Sequence, residues 1–434
     1  MSKLQPVRGT HDILPDEFPR FAHVVNTARD VARLYGYREM ATPVFEFTEL
    51  FARGIGEATD VVSKEMYSFT DRGGEGLTLR PEYTAGICRA FVSNGELQQQ
   101  TPVKVFAHGP MFRYERPQKG RQRQFHQIDI EVLGAPEPEC DVEVICVAAD
   151  ILDRLGILDR CSLKLNSLGD PESRTAYRKV LVDYYGANRA RLSEESLRRL
   201  ERNPMRILDS KDEGDREVNA GAPSLSDHLN PASTAFFAAV KAGLEASGVA
   251  FEVDAALVRG LDYYTHTAFE FVTTHLGAQG TVLGGGRYDG LIEQLGGPPT
   301  AGIGWAGGIE RLAMLANEPV APERPVAIVP MGAAAERRAL ALARELRDLD
   351  VPVELAYRGN MKRRLQRAER LNASHALIMG DNELAKGVVA LKNLDTKEQR
   401  EVPFDELMDE LTLDAAGELA DLLDLPDDDD PGRR

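Results

Sequence analysis

Cysteine is scarce. Only four occur in 434 residues, Cys88, Cys140, Cys146 and Cys161, and none stands in a C-x-x-C pair. Neither a zinc site nor a disulfide framework is suggested, and the four read as reduced core thiols. Long apolar runs are missing as well: nothing approaches the ~18 uninterrupted residues of a membrane-spanning helix. The opening stretch, MSKLQPVRGTHDILPDE, lacks the basic and then apolar layout of a secretory signal, so a cytoplasmic location without a membrane partner is expected. Bases are outnumbered, with 52 Lys and Arg against 69 Asp and Glu and a formal net charge of -17. Neutralising nucleic-acid phosphates would call for the opposite balance.

The deficit is uneven. From Asp414 onward the chain holds eight acids and two arginines and reads as a disordered acidic tail, 414–434. RYERPQKGRQR (Arg113 to Arg123) sets five bases against one acid, and RGNMKRRLQRAER (Arg358 to Arg370) six against one. Two basic islands therefore sit on an acidic body, a solvated helix face or loop being the plain alternative for each.

The length allows two or three domains, and 43% hydrophobic residues can fill ordinary cores. Phe21, Val24, Val25, Ala28, Ala32 and Tyr35 recur at helical spacing and Gly36 closes the pattern, which predicts a helix of about five turns. In GLTLRPEYTAGICRAF, Leu77 and Leu79 alternate with Thr78 and Arg80, and Glu82 and Thr84 continue the polar parity into a helix starting near Thr84. Val103 to Gly134 reads as a long antiparallel hairpin closed by the basic loop RPQKGRQR. On its second strand Phe125, Gln127, Asp129 and Glu131 share one face, and His126, Ile128, Ile130 and Val132 the other. An aromatic, an amide and two carboxylates in a row make a poor core and a plausible ligand wall; His126, among isoleucines, reads as a satisfied structural histidine. Residues 171–248, rich in Arg, Glu and Ser, look like an inserted helical subdomain. From Pro325 strands and helices alternate, which predicts a small α/β domain with a largely parallel sheet.

Three arginines, Arg113, Arg259 and Arg311, each stand beside strand or glycine signals. One alone signifies little, but three suggest a polyphosphate site, because the planar guanidinium donates bidentately and stays charged. The LVRGLDYYTHTAFEF stretch adds Tyr263 and Tyr264 beside Arg259 in what otherwise reads as a half-buried strand.

Together these pieces resemble the class II aminoacyl-tRNA synthetases, specifically the histidyl-tRNA synthetase family. Pro43 after the first helix and strand is similar to that class's dimer-forming motif 1, GPMFRYERPQKGRQRQFHQIDIEVLG to motif 2, and AGIGWAGGIERL to motif 3. LVRGLDYY and GGGRYDGL resemble the two signatures of the histidine enzymes, and RGTHDILP and NPMRILDSKD complete the likeness. The resemblance implies an α+β fold. Its catalytic domain, 1–325, is an antiparallel sheet flanked by helices and carrying the insertion; an α/β anticodon-binding domain, 326–413, follows.

It also implies roles. Arg113 would hold the ATP α-phosphate, Phe125 would stack on adenine with Glu115 near its amino group, and Arg311 would reach the γ-phosphate. Glu82, Thr84 and Gln127 would take the histidine amino group, with Tyr83 between the first two in the amine loop, Glu131 and Tyr264 would hold the imidazole, and Tyr263 and Tyr288 would close the pocket. Arg259 would stand between substrate carboxylate and α-phosphate. Arg116, Lys119, Arg121 and Arg123 would touch the tRNA acceptor stem, and MKRRLQRAER would face anticodon phosphates. ATP with Mg2+, L-histidine, tRNA(His) and a second copy in a homodimer are the implied partners; no protein-built metal site is. Three positions depart from the family pattern. Tyr83 stands where relatives often carry glycine, so the amine loop is expected to be shaped differently, and Gln122 and Asp129 replace residues more often small or aromatic. The rival reading is the family's non-catalytic relative, the regulatory subunit of ATP phosphoribosyltransferase, which should lack the C-terminal domain and lose the arginines.

Overall fold

The helix predicted after PDEFP forms at Phe18–Leu34 and buries Val24, Val25, Ala28, Val31 and Ala32 on one stripe. It stops at Gly36, whose φ of +80° lets Tyr37 N reach back to Ala32 O at 3.0 Å. This computed structural model describes residues 3–56, 59–118, 120–208, 210–258, 261, 263–277, 280–317 and 324–411, without the side chain of Arg202. They fall into two compact units, within Met1–Pro319 and Val320–Arg434.

In the first unit eight strands make one sheet, in the order Arg38–Glu39, Val103–Phe112, Gln124–Leu133, Gly302–Gly308, Thr281–Arg287, Thr265–Val272, Ser162–Ser167 and Glu252–Val253. The six inner strands pair antiparallel and only the two edge strands run parallel to their neighbours. One face is dry. Helices Phe18–Leu34, Pro138–Arg154, Pro231–Ala246 and Ile309–Leu315 cover it, packing Ile128, Ile130, Val132 and Trp305 into a single apolar core. Each fully buried branched side chain there contributes ~1.5–3 kcal/mol, so this face fixes the sheet and leaves the opposite one free to carry polar groups. Helix Pro231–Ala246 closes the segment read as an insertion, yet its Val240 and Leu244 belong to this core.

Upstream of it, helix Pro171–Ala187 has Pro171 at its first position, and Asp170 accepts from Ser173 N at 2.8 Å, so the sequence marks its own start. Tyr177, Leu181, Tyr185, Ile207 and Val218 then form a core continuous with Tyr83, Tyr263 and Tyr288 on the sheet's polar side.

A separate three-stranded sheet, Phe45–Phe47, Gly76–Leu79 and Tyr67–Thr70, is built inside out. Thr78 is fully buried and bonded to Ser68 and Thr48, whereas Phe45, Phe47 and Phe69, in register with Leu79 and Leu77, are 53%, 58% and 47% exposed.

The second unit holds a five-stranded sheet ordered Val353–Leu355, Val326–Pro330, His375–Met379, Val388–Asn393 and Gln399–Pro403. The first three strands are parallel and the last two return antiparallel, so the sheet is mixed where a largely parallel one was expected. The chain between Met379 and Val388 contains only the short helix Asp381–Lys386, too little for the crossover of a dozen or more residues that a parallel return requires.

Candidate active site

Strand Gln124–Leu133 separates its two faces as its alternation predicts. Gln127, Asp129 and Glu131 rise from a floor of small residues: directly across from them lie Gly109, Ala107 and Val105 on one neighbouring strand and Gly308, Ala306 and Gly304 on the other. Gly304 cannot be replaced without a collision, since a Cβ there would run into the Glu131 carboxylate and the Ile130 carbonyl. The floor continues through Gly284 and Gly286, paired with Ala306 and Gly304, which accounts for the glycine run GGGRYDG. Above it opens a cavity of about 660 Å³ whose walls include Glu82, Thr84, Gln127, Asp129, Tyr263 and Tyr264 toward one end of the polar row and Arg113, Glu115, Phe125 and Arg311 toward the other.

The cationic end is prearranged by backbone carbonyls. Arg113 donates from Nε to Pro81 O at 2.8 Å, and its guanidinium lies 5.2 Å from the Phe125 ring centre. Arg311 donates from Nε to Gly120 O at 2.9 Å and from Nη1 to Thr281 O at 2.7 Å. Burial, with Arg121 nearby, makes the Arg311 cation harder to hold than in water, so an anion at this spot gains from entering. Between the two arginines a planar group can lie on Phe125 while negative charge meets both guanidinium groups.

At the other end the three phenols Tyr263, Tyr264 and Tyr288 cluster, with centroids 4.6 Å apart for the first pair and 5.7 Å for Tyr263 and Tyr288. Arg174 of the inserted helix donates to Tyr264 O at 2.7 Å and so fastens their loop. Glu131 is 1% exposed and lies behind this wall. Thr84 donates its hydroxyl to one carboxylate oxygen at 2.5 Å and Tyr288 donates to the other. Burial nevertheless pushes the Glu131 carboxyl up to about 8. Glu82 receives Ala85 N at 2.9 Å, and burial raises its carboxyl too.

Residues 9–312 match the family model described as histidyl-tRNA synthetase, and they include every cavity residue named above. The chain belongs to the histidyl-tRNA synthetase family. Residues 325–412 match the model described as an anticodon binding domain. A histidine–tRNA ligase of Rhodospirillum rubrum is 59% identical, covering 93% of this chain and 97% of that protein, and one of Gluconacetobacter diazotrophicus is 57% identical over the same shares. The apo histidyl-tRNA synthetase of S. aureus superposes with a TM-score of 0.79 at 34% identity, covering 94% of this chain and 99% of that one. A Bacillus halodurans structure, described as an ATP phosphoribosyltransferase regulatory subunit/histidyl-tRNA synthetase, shares the fold at 21% identity, a TM-score of 0.65, and 88% and 99% coverage.

Against the residues expected for a histidyl-tRNA synthetase, the cavity gathers Glu82, Thr84, Gln127, Tyr263, Tyr264, Tyr288, Arg113, Glu115, Phe125 and Arg311. Arg259 and Lys119 lie outside the described residues, as does the tail. Tyr83 does not join them. At φ -94° it simply precedes helix Thr84–Ser93, its ring under the Arg80 guanidinium and its hydroxyl donating to His108 O at 3.0 Å. The loop therefore needs no positive φ, and Tyr83 packs into the body of the unit. Arg80 likewise leaves the polar row, spending its donors on Thr42 O and Pro110 O. His126 pairs with Glu310 at 2.8 Å, a structural histidine as its neighbours suggested.

In the basic loop Arg116 is exposed, while Arg121 pairs with Glu115 at 2.8 Å and Arg123 lies over the Tyr114 ring and donates its backbone N–H to Gly9 O at 2.7 Å. Sequence reasoning passed over His11, Ile13, Glu17 and Arg20, which also border the cavity; RGTHDILP, noted only as part of the family likeness, was the signal for His11 and Ile13.

Proposed function

We propose that the cavity activates L-histidine with ATP and then passes the histidyl group to the 3′ end of tRNA(His). The chain's activity is that of an ATP-dependent aminoacyl-tRNA ligase; the regulatory reading loses its ground, since the appended domain is present and Arg113 and Arg311 both face the cavity. A carboxylate oxygen of histidine attacks the α-phosphorus of ATP in line, the bond to the β-phosphate oxygen breaks, and pyrophosphate leaves with that electron pair. Two anions must meet for this to happen. Arg113 neutralises the α-phosphate, Arg311 the γ-phosphate, Phe125 carries the adenine with Glu115 at its amino group, and Arg259 spans carboxylate and α-phosphate. ATP arrives with Mg2+ on its phosphates as part of the substrate. The α-ammonium lies against Glu82, Thr84 and Gln127. The imidazole lies against Tyr263 and Tyr264, with Glu131 anchoring the Thr84 and Tyr288 hydroxyls beside it. In the second step a ribose hydroxyl of the tRNA end attacks the adenylate carbonyl and AMP departs.

The observation that carries this is the single wall Phe125–Gln127–Asp129, backed by the buried Glu131, which joins a cationic, aromatic end to an acidic, phenolic one inside one cavity. An analogue without ring nitrogens would leave buried polar groups unpaired, which supports discrimination of ~10⁴ without editing. Arg116 and Lys119 of the loop would meet the acceptor stem. The outward Phe45, Phe47 and Phe69 beside Pro43 support a homodimer, and the absence, among described residues, of a helix long and apolar enough to cross a membrane accords with work in the cytoplasm.

The test is isotopic exchange of pyrophosphate into ATP. Exchange that requires histidine supports the synthetase reading. Folded protein that binds histidine but shows none would favour the regulatory relative.

A further inference from the structure

One carboxylate on the wall is unused by this scheme. Asp129 lines the cavity between Gln127 and Glu131, is 1% exposed, and neither of its oxygens has a hydrogen-bond partner. The opposing Ala107 and Ala306 are too short to hide it from the cavity. The same holds for one oxygen of each of two neighbours, Glu82 Oε2 and Gln127 Oε1, both buried and unpartnered. Four oxygens on three side chains thus meet one end of the cavity without a hydrogen-bond partner. Burial, with Glu131 and Glu82 alongside, holds the Asp129 carboxyl well above the ordinary range, and Arg80 and Arg113 oppose this only in part. Arg80 is committed to Thr42 O and Pro110 O, and Arg113 to Pro81 O.

The complement of such a set is a compact cation with several N–H donors. A hydroxyl supplies one donor and no charge, and an imidazole at most two; a primary ammonium supplies three and a full positive charge. We infer that Asp129 is a specificity-determining residue that, with Glu82 and Gln127, closes a cage of acceptors around the α-ammonium of the amino-acid substrate. The inference rests on reading the cavity as an amino-acid site and adds to it a second carboxylate, beside Glu82, on the wall itself. Ammonium entry supplies the missing donors and the charge that lets Asp129 ionise, so a substrate lacking that group leaves the carboxyl stranded.

Calorimetric binding of two probes tests it: histidinol, which keeps the ammonium and lacks the carboxylate, and imidazolepropionate, which keeps the carboxylate and lacks the ammonium. Wild-type protein should prefer histidinol. Asp129→Asn should weaken histidinol ~10- to 100-fold and shift imidazolepropionate less than about twofold, with Asp129→Ala behaving alike. Because the variants remove a buried unpaired acid, their empty forms should melt no lower than wild type. Equal weakening of both probes, or of neither, would overturn the assignment, as would a wild type that binds imidazolepropionate as tightly as histidinol. Since binding alone is measured, failure of pyrophosphate exchange would strike the catalytic reading separately.

Discussion

Glu131 accepts hydroxyls from Thr84 and Tyr288, and still its burial lifts the carboxyl from an ordinary 4.5 to about 8. Between those values the folded protein holds a proton that the unfolded chain has released, so stability contributed by Glu131 is full below about 4.5 and is lost as the pH rises toward 8. Glu131→Gln abolishes that slope. Thermal melts of the empty protein should therefore show the variant gaining on wild type from pH 5 to pH 8; a constant difference would contradict the buried neutral acid. Gly304 makes the complementary point. Adding one methyl by Gly304→Ala drives it into Glu131, and histidine-dependent exchange should fall at least ~100-fold through a displaced wall.

Tyr83 and Tyr264 separate structure from recognition. Tyr83→Phe removes the bond to His108 O, costs about 1 kcal/mol of stability and leaves the histidine KM unchanged, whereas Tyr264→Phe raises that KM. Equal KM effects would place Tyr83 in the pocket after all. Alternation found Gln127, Asp129 and Glu131 because they share one unbroken strand. It misplaced Arg80 because the strand ends at Leu79 and Pro81 breaks the parity before helix Thr84–Ser93 begins; Tyr83 was placed in the pocket by the family resemblance, not by alternation.

Helices and strands with a long apolar period were legible, and Val103–Phe112 and Gln124–Leu133 pair as the antiparallel hairpin expected. Strand direction in the C-terminal sheet was not legible from alternation alone; it depended on the length of chain after Met379, which the short helix Asp381–Lys386 consumes. Helix Met361–Arg370 shows how a basic run divides its labour. Arg364 is buried and donates to Pro330 O and Gly359 O, Arg367 pairs with Glu354 at 2.7 Å, and Lys362 and Arg363 are exposed. Replacing both Lys362 and Arg363 by Ala should reduce the salt dependence of tRNA binding by about two units of slope while leaving pyrophosphate exchange intact. Arg364→Ala should instead lower the melting temperature of its unit, as an unpaired Pro330 carbonyl and Glu336 would be left behind. An unchanged salt slope in the double variant would mean the helix is only a solvated face.

For the whole protein, the sheet that buries Thr78 and exposes Phe45, Phe47 and Phe69 makes sense only when something covers it. A second copy covers it in the homodimer proposed above, so Phe47→Asp should give monomers by light scattering at micromolar concentration. Dimers that persist in this variant would locate the interface elsewhere. The net charge of -17 pointed away from nucleic acid, and the two basic islands pointed back; total charge failed as a guide because phosphate contacts depend on where a few arginines stand. The arginines themselves were legible through their glycine and strand settings, while the carbonyl groups that aim them, Pro81 O, Gly120 O and Thr281 O, come from distant segments that only folding brings together. The most direct measurement is the rate of histidine-dependent pyrophosphate exchange in Arg113→Ala beside wild type. A loss of ~100-fold or more with native melting is expected, since a fixed cation at the reacting phosphate lowers the barrier by ~3 kcal/mol; an unchanged rate would contradict the claim that this guanidinium brings the two anions together.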